Sequence, residues 1–500
     1  MRPILMALLL SCSLGWAQSW TPSQNLMPGD FGSSWTTGNN ARSLGALGDT
    51  VFLVWYNATD TNYNTGHQVY FKMFDGTVWL AGQKISPGTN WRRHSWYPAC
   101  AVDGQGSLHV VWESNDFIPT SDGASIYDIA YRRFSQGTWS GVTNVTTNSS
   151  QGYSWRPAIA CGQDNLVHLA WQDNRQGTFR IFYKSLAGGS TWSSDLCLSP
   201  QGIYAGFPSL AVIGSQPAVV WQDFRDGSSQ IYFRKGSPSG WGQDSAISQS
   251  TYGAFAPCLA GDEAGNLHAA WEDLRDGNFE IYYRRFSAQT QSWENVIRLT
   301  DDPFFSRQPF LQCQSDGTVN LFWADDRSGS YDIYHRRSVN NAWQPETTLT
   351  SHDGYSSLGP SAAADHSGNL HLVWSDFYVW YQAPDVFYML GAYPKVSSVE
   401  TQSEAMREKE VLLLPARPNP VRDGTRISMM TAESGWARLG IYNIAGQLVK
   451  ELYRGHLSGG THEFRWDAKD GNGNRVSNGL YLTRAESGGA AATGKIMVVR

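Results

Sequence analysis

Charged residues are scarce in this chain: they make up 16% of its 500 residues, against about a quarter in a typical soluble domain. Basic residues (38) do not outnumber acidic ones (44), and the net charge is -6. The chain therefore lacks the extended basic surface that would neutralise a nucleic-acid backbone. We expect no nucleic-acid partner.

The motifs of several enzyme classes are also absent. The sequence contains no Gly-rich phosphate loop, no G-x-S-x-G elbow and no H-E-x-x-H motif. Cysteine occurs six times without a C-x-x-C pair, which excludes the common zinc spacings. Cys12 lies in an N-terminal segment that we predict to be removed, which leaves five cysteines. Because five is an odd number, at least one cysteine is predicted to be free or to pair with another molecule.

Long apolar runs are missing except at the N-terminus, so we predict no transmembrane segment in the mature chain. The exception combines Arg2, an apolar stretch at 4–10, and a small-x-small site that ends at Ala17. This layout is typical of a secretory signal peptide. We predict that residues 1–17 are removed and that the mature protein leaves the cytoplasm.

Aromatic residues (13%) and glycine (50 residues) are abundant, and tryptophan recurs regularly. Seven apolar runs end in a tryptophan, at intervals of 57, 59, 50, 50, 52 and 51 residues: Trp55, Trp112, Trp171, Trp221, Trp271, Trp323 and Trp374. A period near fifty residues predicts a repeat architecture in which each repeat is one supersecondary unit.

Each repeat is predicted to form four strands: one that follows a proline, one ending at the repeat tryptophan, an Ile-Tyr strand, and one beginning at a second tryptophan such as Trp192. Their short apolar runs suit blades stacked around an axis. The sequence therefore predicts an all-β fold, with a seven-bladed β-propeller over residues 18–394. The seventh repeat lacks its fourth strand, and residues 20–26 match that strand, so we predict that an N-terminal strand closes the ring.

The hairpin between the third and fourth strands carries a partial motif. Ser185, Gly189, Thr191 and Trp192 fall at the spacing S-x-D-x-G-x-T-W, with Ala187 in place of the aspartate. This hairpin resembles a degenerate Asp-box of the sialidase superfamily. The resemblance covers residues 20–394 and implies a propeller of the sialidase type.

Residues 395–411 are polar and charged and are predicted to be a linker before a new domain at 412–500. That domain carries five motifs: R-P-N-P at 417–420, L-G-I-Y-N-I-A-G at 439–446, W-D-A-K-D-G-N-G at 466–473, S-N-G-L-Y at 477–481, and K-I-M-V-V at 495–499. They resemble the type A C-terminal sorting domain of the bacterial type IX secretion system, an immunoglobulin-like β-sandwich also similar to a module of flagellar hook-capping proteins. The resemblance implies that the secretion machinery is a partner, and that the protein passes the periplasm to be released or attached to the cell surface.

Repeats one, two and seven depart from the common pattern and would be neighbours in a closed ring. Their loops, and those beside them, carry aromatic and basic residues that suit a sugar or an extended peptide. These candidate ligand-binding residues are Trp91, Arg92, Arg93, Trp96, Phe117, Trp155, Arg156, Tyr378, Trp380 and Tyr381. Packing between blades would use the same residues, and the sequence leaves the two interpretations open.

Four repeats carry an Asp-x-Arg pair after the second strand: Asp173 and Arg175, Asp223 and Arg225, Asp273 and Arg275, and Asp325 and Arg327. A ring of ligand-binding charges is one interpretation, and an ion pair that pins each hairpin is the other. Repetition favours the structural interpretation, because an active site needs each catalytic group once.

A glycoside hydrolase needs two carboxylates about 5 to 9.5 Å apart, and the candidates are Glu113, Asp116, Asp122 and Asp376. The three arginines and the tyrosine–glutamate pair of a sialidase are not recognisable. Binding of an extracellular glycan or protein is therefore the first hypothesis. A sialidase-like or other glycan-cleaving enzyme is the second, and a structural surface protein is the third.

Asp467, Asp470, Asn472 and Asn474 alternate along one loop of the last domain. Oxygen donors at this spacing suit calcium, but the loop lacks the downstream glutamate of the well-known calcium loop. The same residues are typical of a hairpin turn. We predict the turn and no cofactor or metal, with calcium as the alternative.

Overall fold

The computed structural model describes residues 19–27, 33–36, 42–58, 66–88, 93–117, 126–146, 152–189, 191–237, 240–350, 355–377, 384–392, 411–413, 416, 421, 424–431, 434–443, 446–487 and 490–498. The chain divides into two compact units, Met1–Lys395 and Val396–Arg500. The predicted signal peptide and most of the predicted linker lie outside the described residues. Within those residues every element is a β-strand, and no helix could span a membrane.

The first unit contains seven five-stranded sheets, one for each repeat, as expected for the blades of a β-propeller. The sheets are numbered by the order of their repeats: sheet 1 contains Ser33–Trp35, Leu44–Leu47, Thr50–Ala58, His67–Phe74 and Gln83–Lys84; sheet 2 contains Ser95–Val102, Leu108–Ser114, Asp128–Ser135, Thr138–Trp139 and Thr143–Asn144; and sheet 3 contains Ser154–Cys161, Val167–Asp173, Arg180–Ala187, Thr191–Trp192 and Leu196–Cys197. Sheet 4 contains Ala205–Ile213, Gln216–Asp223, Gln230–Ser237, Gly240–Trp241 and Ser245–Ala246; sheet 5 contains Ala254–Gly261, Leu267–Asp273, Glu280–Ser287, Ser292–Trp293 and Ile297–Arg298; and sheet 6 contains Ser306–Cys313, Val319–Asp325, Asp332–Val339, Ala342–Trp343 and Thr347–Thr348. Sheet 7 contains Ser356–Ala364, Leu370–Phe377 and Asp385–Ala392, together with the N-terminal segments Ser19–Trp20 and Gln24–Asn25.

The outer strand differs from the prediction of one continuous fourth strand. In sheets 2 to 6 it is broken into two segments of two residues, and both pair with the third strand. A side chain of the third strand occupies the break in sheet 2, where Arg132 Nε donates to the Ser140 carbonyl at 2.7 Å. The same bond occurs in three later sheets, from Arg234 to Gly242, Arg284 to Glu294 and Arg336 to Gln344.

The same basic position also joins neighbouring sheets. Arg132 Nη1 donates to the carbonyl of Ile85 in the preceding sheet at 2.8 Å. Equivalent bonds run from Lys184 to Val145, Arg234 to Leu198, Arg284 to Ile247 and Arg336 to Leu299. In sheet 1, Lys72 Nζ donates to the Leu26 carbonyl at 2.7 Å, so this link also reaches the N-terminal segment.

Sheet 7 takes its outer segments from the N-terminus. Ser19 pairs with Ala392, and Gln24 with Tyr388. Sheet 7 also contacts sheet 1, where Thr36 N donates to Ser375 Oγ at 2.8 Å. The first and last repeats are therefore neighbours in space.

The repeat tryptophans form the centres of the packed layers, because the strands that contain them are buried on both faces. Six of the seven are at most 1% exposed and Trp55 is 2% exposed. All five cysteines outside the N-terminal segment are free, and four of them lie in first strands.

The second unit has a three-stranded and a four-stranded sheet. Their strands are Val411–Leu413, Thr425–Thr431 and Gly460–Trp466 in the first, and Gly435–Asn443, Leu448–Leu457, Gly479–Ser487 and Ala490–Val498 in the second. Trp466 is fully buried in the core of this unit. In the loop considered for calcium, Asp470 Oδ1 accepts the N–H groups of Asn472 and Asn474 at 2.9 and 2.8 Å, and Asp467 pairs with Lys450 at 2.7 Å. These bonds have the geometry of a turn.

Candidate functional site

A bulge interrupts the first strand of six sheets, directly before the repeat proline. The residue at the bulge has a left-handed backbone, with φ of 46° at Tyr97 and 52° at Arg156. Phe207, Ala256, Gln308 and Gly359 occupy the position in sheets 4 to 7. L-amino acids with side chains rarely adopt this conformation, so surrounding contacts must hold it in place.

One such contact is a hydrogen bond from the preceding sheet. The Arg156 N–H donates to Glu113 Oε1 at 2.8 Å. The same bond joins Phe207 to Gln172 at 2.9 Å, Ala256 to Gln222 at 3.4 Å, and Gln308 to Glu272 at 2.8 Å. Each acceptor directly follows a repeat tryptophan. Glutamate and glutamine therefore serve this structural role interchangeably.

Sheets 1, 6 and 7 depart from the rule, since Tyr56, Ala324 and Ser375 follow their tryptophans. The Tyr56 ring lies 5.5 Å from that of Tyr97. Tyr97 also lies 6.2 Å from Trp96, and the His67 ring lies 4.5 Å from Trp96. We call Tyr56, His67, Trp96, Tyr97 and Arg156 the Tyr97 cluster. Tyr56 is 7% exposed, whereas the other four members are partly exposed.

Arg156 completes the cluster through stacking. Its guanidinium carbon lies 3.9 Å from the centre of the Tyr97 ring and 5.2 Å from that of Phe207. Within the described chain the Arg156 side chain makes no hydrogen bond or ion pair. By contrast, Arg307 Nε donates to the buried Glu272 carboxylate at 3.1 Å. Arg156 is therefore an aromatic-stacked cation whose N–H donors are available.

Burial shifts the titration of several groups here. It raises the pKa of Glu113 to about 7, although the charge and the backbone N–H of Arg156 oppose the shift. Burial, together with the neighbouring His94, lowers the pKa of His67 to about 4. Burial also raises the pKa of Tyr56. Near neutral pH, His67 and Tyr56 are therefore uncharged and Glu113 is partly protonated.

The structure brings some of the predicted ligand-binding residues together. Trp96 and Arg156 both contact Tyr97. Trp155 instead stacks on Phe179 at 5.1 Å. Arg93 Nη1 donates to the Asn115 carbonyl at 2.5 Å, and Phe117 packs against the core shared by sheets 1 and 2. Five predicted residues lie outside the described residues: Trp91, Arg92, Tyr378, Trp380 and Tyr381.

The predicted carboxylates occupy separate environments. Glu113 is 5% exposed and holds the bulge of sheet 3. Asp116 accepts hydrogen bonds from Ser95 at 3.2 Å and Ser114 at 2.9 Å. Asp376 is buried at the end of the second strand of sheet 7, and Asp122 lies outside the described residues.

The four repeated Asp-x-Arg pairs share their principal contacts. Each aspartate is fully buried and binds the indole N–H of its repeat tryptophan, as in Asp273 with Trp271 at 2.9 Å. Arg275 Nη2 reaches the same carboxylate at 2.6 Å. The pairs Asp173–Arg175, Asp223–Arg225 and Asp325–Arg327 repeat these contacts. Within the described residues, the indole N–H groups of Trp55, Trp112 and Trp374 find no partner. Sheets 1, 2 and 7 therefore lack the contact between the repeat tryptophan and an aspartate that the other four sheets make.

Sequence reasoning missed three members of the Tyr97 cluster. Tyr97 stands directly before a repeat proline, and Tyr56 stands where four of the other repeats have glutamate or glutamine. Both positions can be recognised in the sequence when the seven repeats are compared. His67 carries no such signal, because its contact with Trp96 depends on how sheets 1 and 2 pack.

Comparison with known proteins adds one family match. Residues 421–490 match the FlgD Ig-like domain. The match covers part of the second unit and agrees with its two sheets. No curated protein matches the chain.

Solved structures resemble the chain in fold. A polysaccharide lyase of family PL25, an ulvan lyase, is similar with a TM-score of 0.52 at 10% identity, over 73% of this chain and 95% of that one. This likeness supports the β-propeller fold. Two further similar structures are PorZ, a surface component of the type IX secretion system of Porphyromonas gingivalis (TM-score 0.42, 15% identity, 92% of this chain and 60% of that one), and an intramolecular trans-sialidase from Ruminococcus gnavus (TM-score 0.41, 12% identity, 71% and 94%).

Proposed function

We propose that the chain is an exported protein whose first unit binds an extracellular glycan at the Tyr97 cluster. This proposal is supported mainly by the combination of partly exposed aromatic rings with a stacked guanidinium that makes no hydrogen bond to any residue the structure describes. Aromatic faces pack against the CH groups of sugars, and fixed polar groups orient them. A protein ligand is the alternative occupant.

We also propose that residues 18–394 form a seven-bladed propeller closed by the N-terminal strand. Support comes from the pairing of Ser19 with Ala392 and from the bond of Lys72 to Leu26. Arg42 adds a contact across the interior, since its Nη2 lies 3.4 Å from the Leu259 carbonyl and its guanidinium carbon 5.4 Å from the Phe310 ring centre. We retain the degenerate Asp-box at 185–192 as the sequence feature of the sialidase type.

The proposal also includes delivery by a type IX sorting domain at 412–500, after a linker at 395–411. Its support is the match of residues 421–490 to an Ig-like family, together with the motifs of the sequence. In this account the secretion machinery is a partner, and the protein is secreted or attached to the bacterial cell surface.

The proposed function is tested by screening the mature protein against a glycan array. We expect binding to a defined set of glycans. If no glycan binds and a pull-down from the bacterial surface captures a protein, the ligand is a protein and the glycan proposal is wrong.

A second candidate function is glycan cleavage. The observation in its favour is Glu113, a carboxyl with a pKa of about 7 beside Arg156, because a general acid is most effective with a pKa near the working pH. Its burial between sheets argues for a structural role. Release of new sugar ends from a bound glycan, abolished in Glu113→Gln, would establish an enzyme.

A further inference from the structure

Two histidines at the junction of sheets 1 and 2 face each other through the same ring atom. His67 Nδ1 lies 3.4 Å from His94 Nδ1. We infer that these two nitrogens bind one divalent transition-metal ion of the zinc and copper class. The inference goes beyond the proposed function and does not depend on it, because metal binding is measured without a glycan.

The separation of the two nitrogens fits a metal ion better than a hydrogen bond. Ordinary hydrogen bonds join heavy atoms about 2.7 to 3.2 Å apart. Two nitrogens that each lie about 2.0 to 2.1 Å from a tetrahedral zinc ion are about 3.3 Å apart. The observed 3.4 Å between His67 and His94 therefore matches two ligands of one ion.

The electrostatic surroundings favour a bound cation. His94 Nδ1 accepts the backbone N–H of His67 at 3.3 Å, so this nitrogen is unprotonated and its protein contact is long. Burial lowers the pKa of both rings, and that of His67 to about 4, so both rings are neutral near neutral pH. A neutral imidazole is the form that binds a metal. The Asp116 carboxylate, which interacts with the His94 ring, offsets part of the charge of a cation.

Packing and backbone bonds hold both histidines in place. The His67 ring stacks on Trp35 with centres 5.5 Å apart and lies 4.5 Å from Trp96. The His94 N–H donates to Asn115 Oδ1 at 2.7 Å, and the His94 carbonyl accepts the Asn115 N–H at 3.2 Å. Both histidines are partly exposed. Because the ligands are already arranged, binding need not order either side chain.

Other junctions between sheets show that folding does not require histidine at these positions. Elsewhere two aromatic rings meet at the same two positions, with centres 6.1 and 6.0 Å apart, against 5.7 Å for His67 and His94. These pairs are Phe179 with Tyr204 and Phe279 with Phe305. Packing therefore needs only two rings. The exchange of both rings for metal-binding side chains points to a ligand.

The two histidines supply part of a coordination shell. Within the part of the chain that the structure describes, no group of three or more His, Cys, Asp or Glu side chains could hold a metal ion. Water or a bound ligand takes further positions, as in metal sites that keep an open position. Imidazole suits zinc and copper, whereas calcium prefers oxygen ligands. Calcium is therefore the discriminating control ion.

The test titrates Zn²⁺, Cu²⁺ and Ca²⁺ separately into the untagged mature protein by calorimetry, after a chelator has been used and removed. His67→Phe reproduces Phe179 and His94→Tyr reproduces Tyr204, so these variants and the double variant should fold, which melting curves check. The matched control is His366→Gln, which removes an exposed histidine of sheet 7.

We expect the wild type and His366→Gln to bind one Zn²⁺ or Cu²⁺ ion that the double variant does not bind. Each single variant should bind this ion about tenfold or more weakly than the wild type. In the copper-loaded wild type, electron paramagnetic resonance should show coupling to two imidazole nitrogens, and in His94→Tyr to one.

The outcomes decide the inference without reference to a glycan. Selective binding of Zn²⁺ or of Cu²⁺ assigns the metal. No uptake of either ion by the wild type, uptake of Ca²⁺ alone, or equal uptake of Zn²⁺ and Cu²⁺ by the wild type and the folded double variant would overturn the inference. Failure of glycan binding on the array would leave the metal result unchanged, so the two proposals fail separately.

Discussion

Replacing Glu113 with glutamine should make the protein more stable at alkaline pH. The glutamine side chain keeps the acceptor for the Arg156 N–H, as Gln172 and Gln222 do at the same position of later sheets. It removes a carboxyl whose pKa is raised by burial. The variant therefore changes the charge with little change in shape.

The magnitude follows from the shift of the Glu113 pKa from 4.5 to about 7. Because the folded pKa is raised, the folded state holds its proton more tightly, and stability is lost as pH rises from 4.5 through 7. The ionised carboxylate destabilises the folded state by about 3 kcal/mol at about pH 9, and by about 1 kcal/mol at about pH 5. The advantage of Glu113→Gln over the wild type should thus grow by about 2 to 3 kcal/mol between these two pH values.

Thermal unfolding of both proteins across this pH range is the assay. For a unit of this size, the growing advantage corresponds to a difference in melting temperature of about 3 °C. Gln172→Glu is the reciprocal variant, and its stability should fall as pH rises because it places a buried carboxyl where Gln172 accepts the Phe207 N–H. Parallel pH profiles for the wild type and Glu113→Gln would refute the burial argument.

Three further predictions concern the architecture. Asp273→Asn should lower the free energy of unfolding by about 3 to 5 kcal/mol, because it breaks the buried pair with Arg275; a denaturant titration with an unchanged midpoint would contradict this. Deleting residues 19–27 removes the pairing with sheet 7 and exposes the pockets of Leu26 and Met27, for a loss of about 4 kcal/mol, and an unchanged melting curve would refute the closure strand. A chain truncated after Lys395 should fold and accumulate in the periplasm, whereas normal surface delivery would disprove the sorting-domain assignment.

The sequence was sufficient to place most strands of the first unit, because each repeat supplies the same apolar and turn signals. The predicted second strand ending at Trp271 lies within Leu267–Asp273, and the N-terminal segment at 20–26 pairs with the seventh repeat. The broken outer strand could not be predicted. It depends on Arg132 and its equivalents bonding carbonyls eight or more residues away.

The candidate site was less predictable, since it is built from side chains that meet only after the sheets pack. Trp96 and Arg156 were identified from composition, but Tyr97 links them. Glu113 was identified as a possible catalytic carboxylate. Its structural role is to accept the Arg156 N–H of the next sheet. This role is recognised only by comparison with Glu272, which accepts the Gln308 N–H in the same way.

The central claim is that the Tyr97 cluster binds the glycan. The most direct measurement is a calorimetric titration of a glycan selected by the array into the mature wild type, Tyr97→Ala and Tyr252→Ala. Tyr97→Ala places in sheet 2 the residue that sheet 5 has as Ala256, and Tyr252 is an aromatic residue, 71% exposed, outside the cluster. The account predicts about a tenfold loss of affinity in Tyr97→Ala and none in Tyr252→Ala, whereas full affinity in Tyr97→Ala would contradict it.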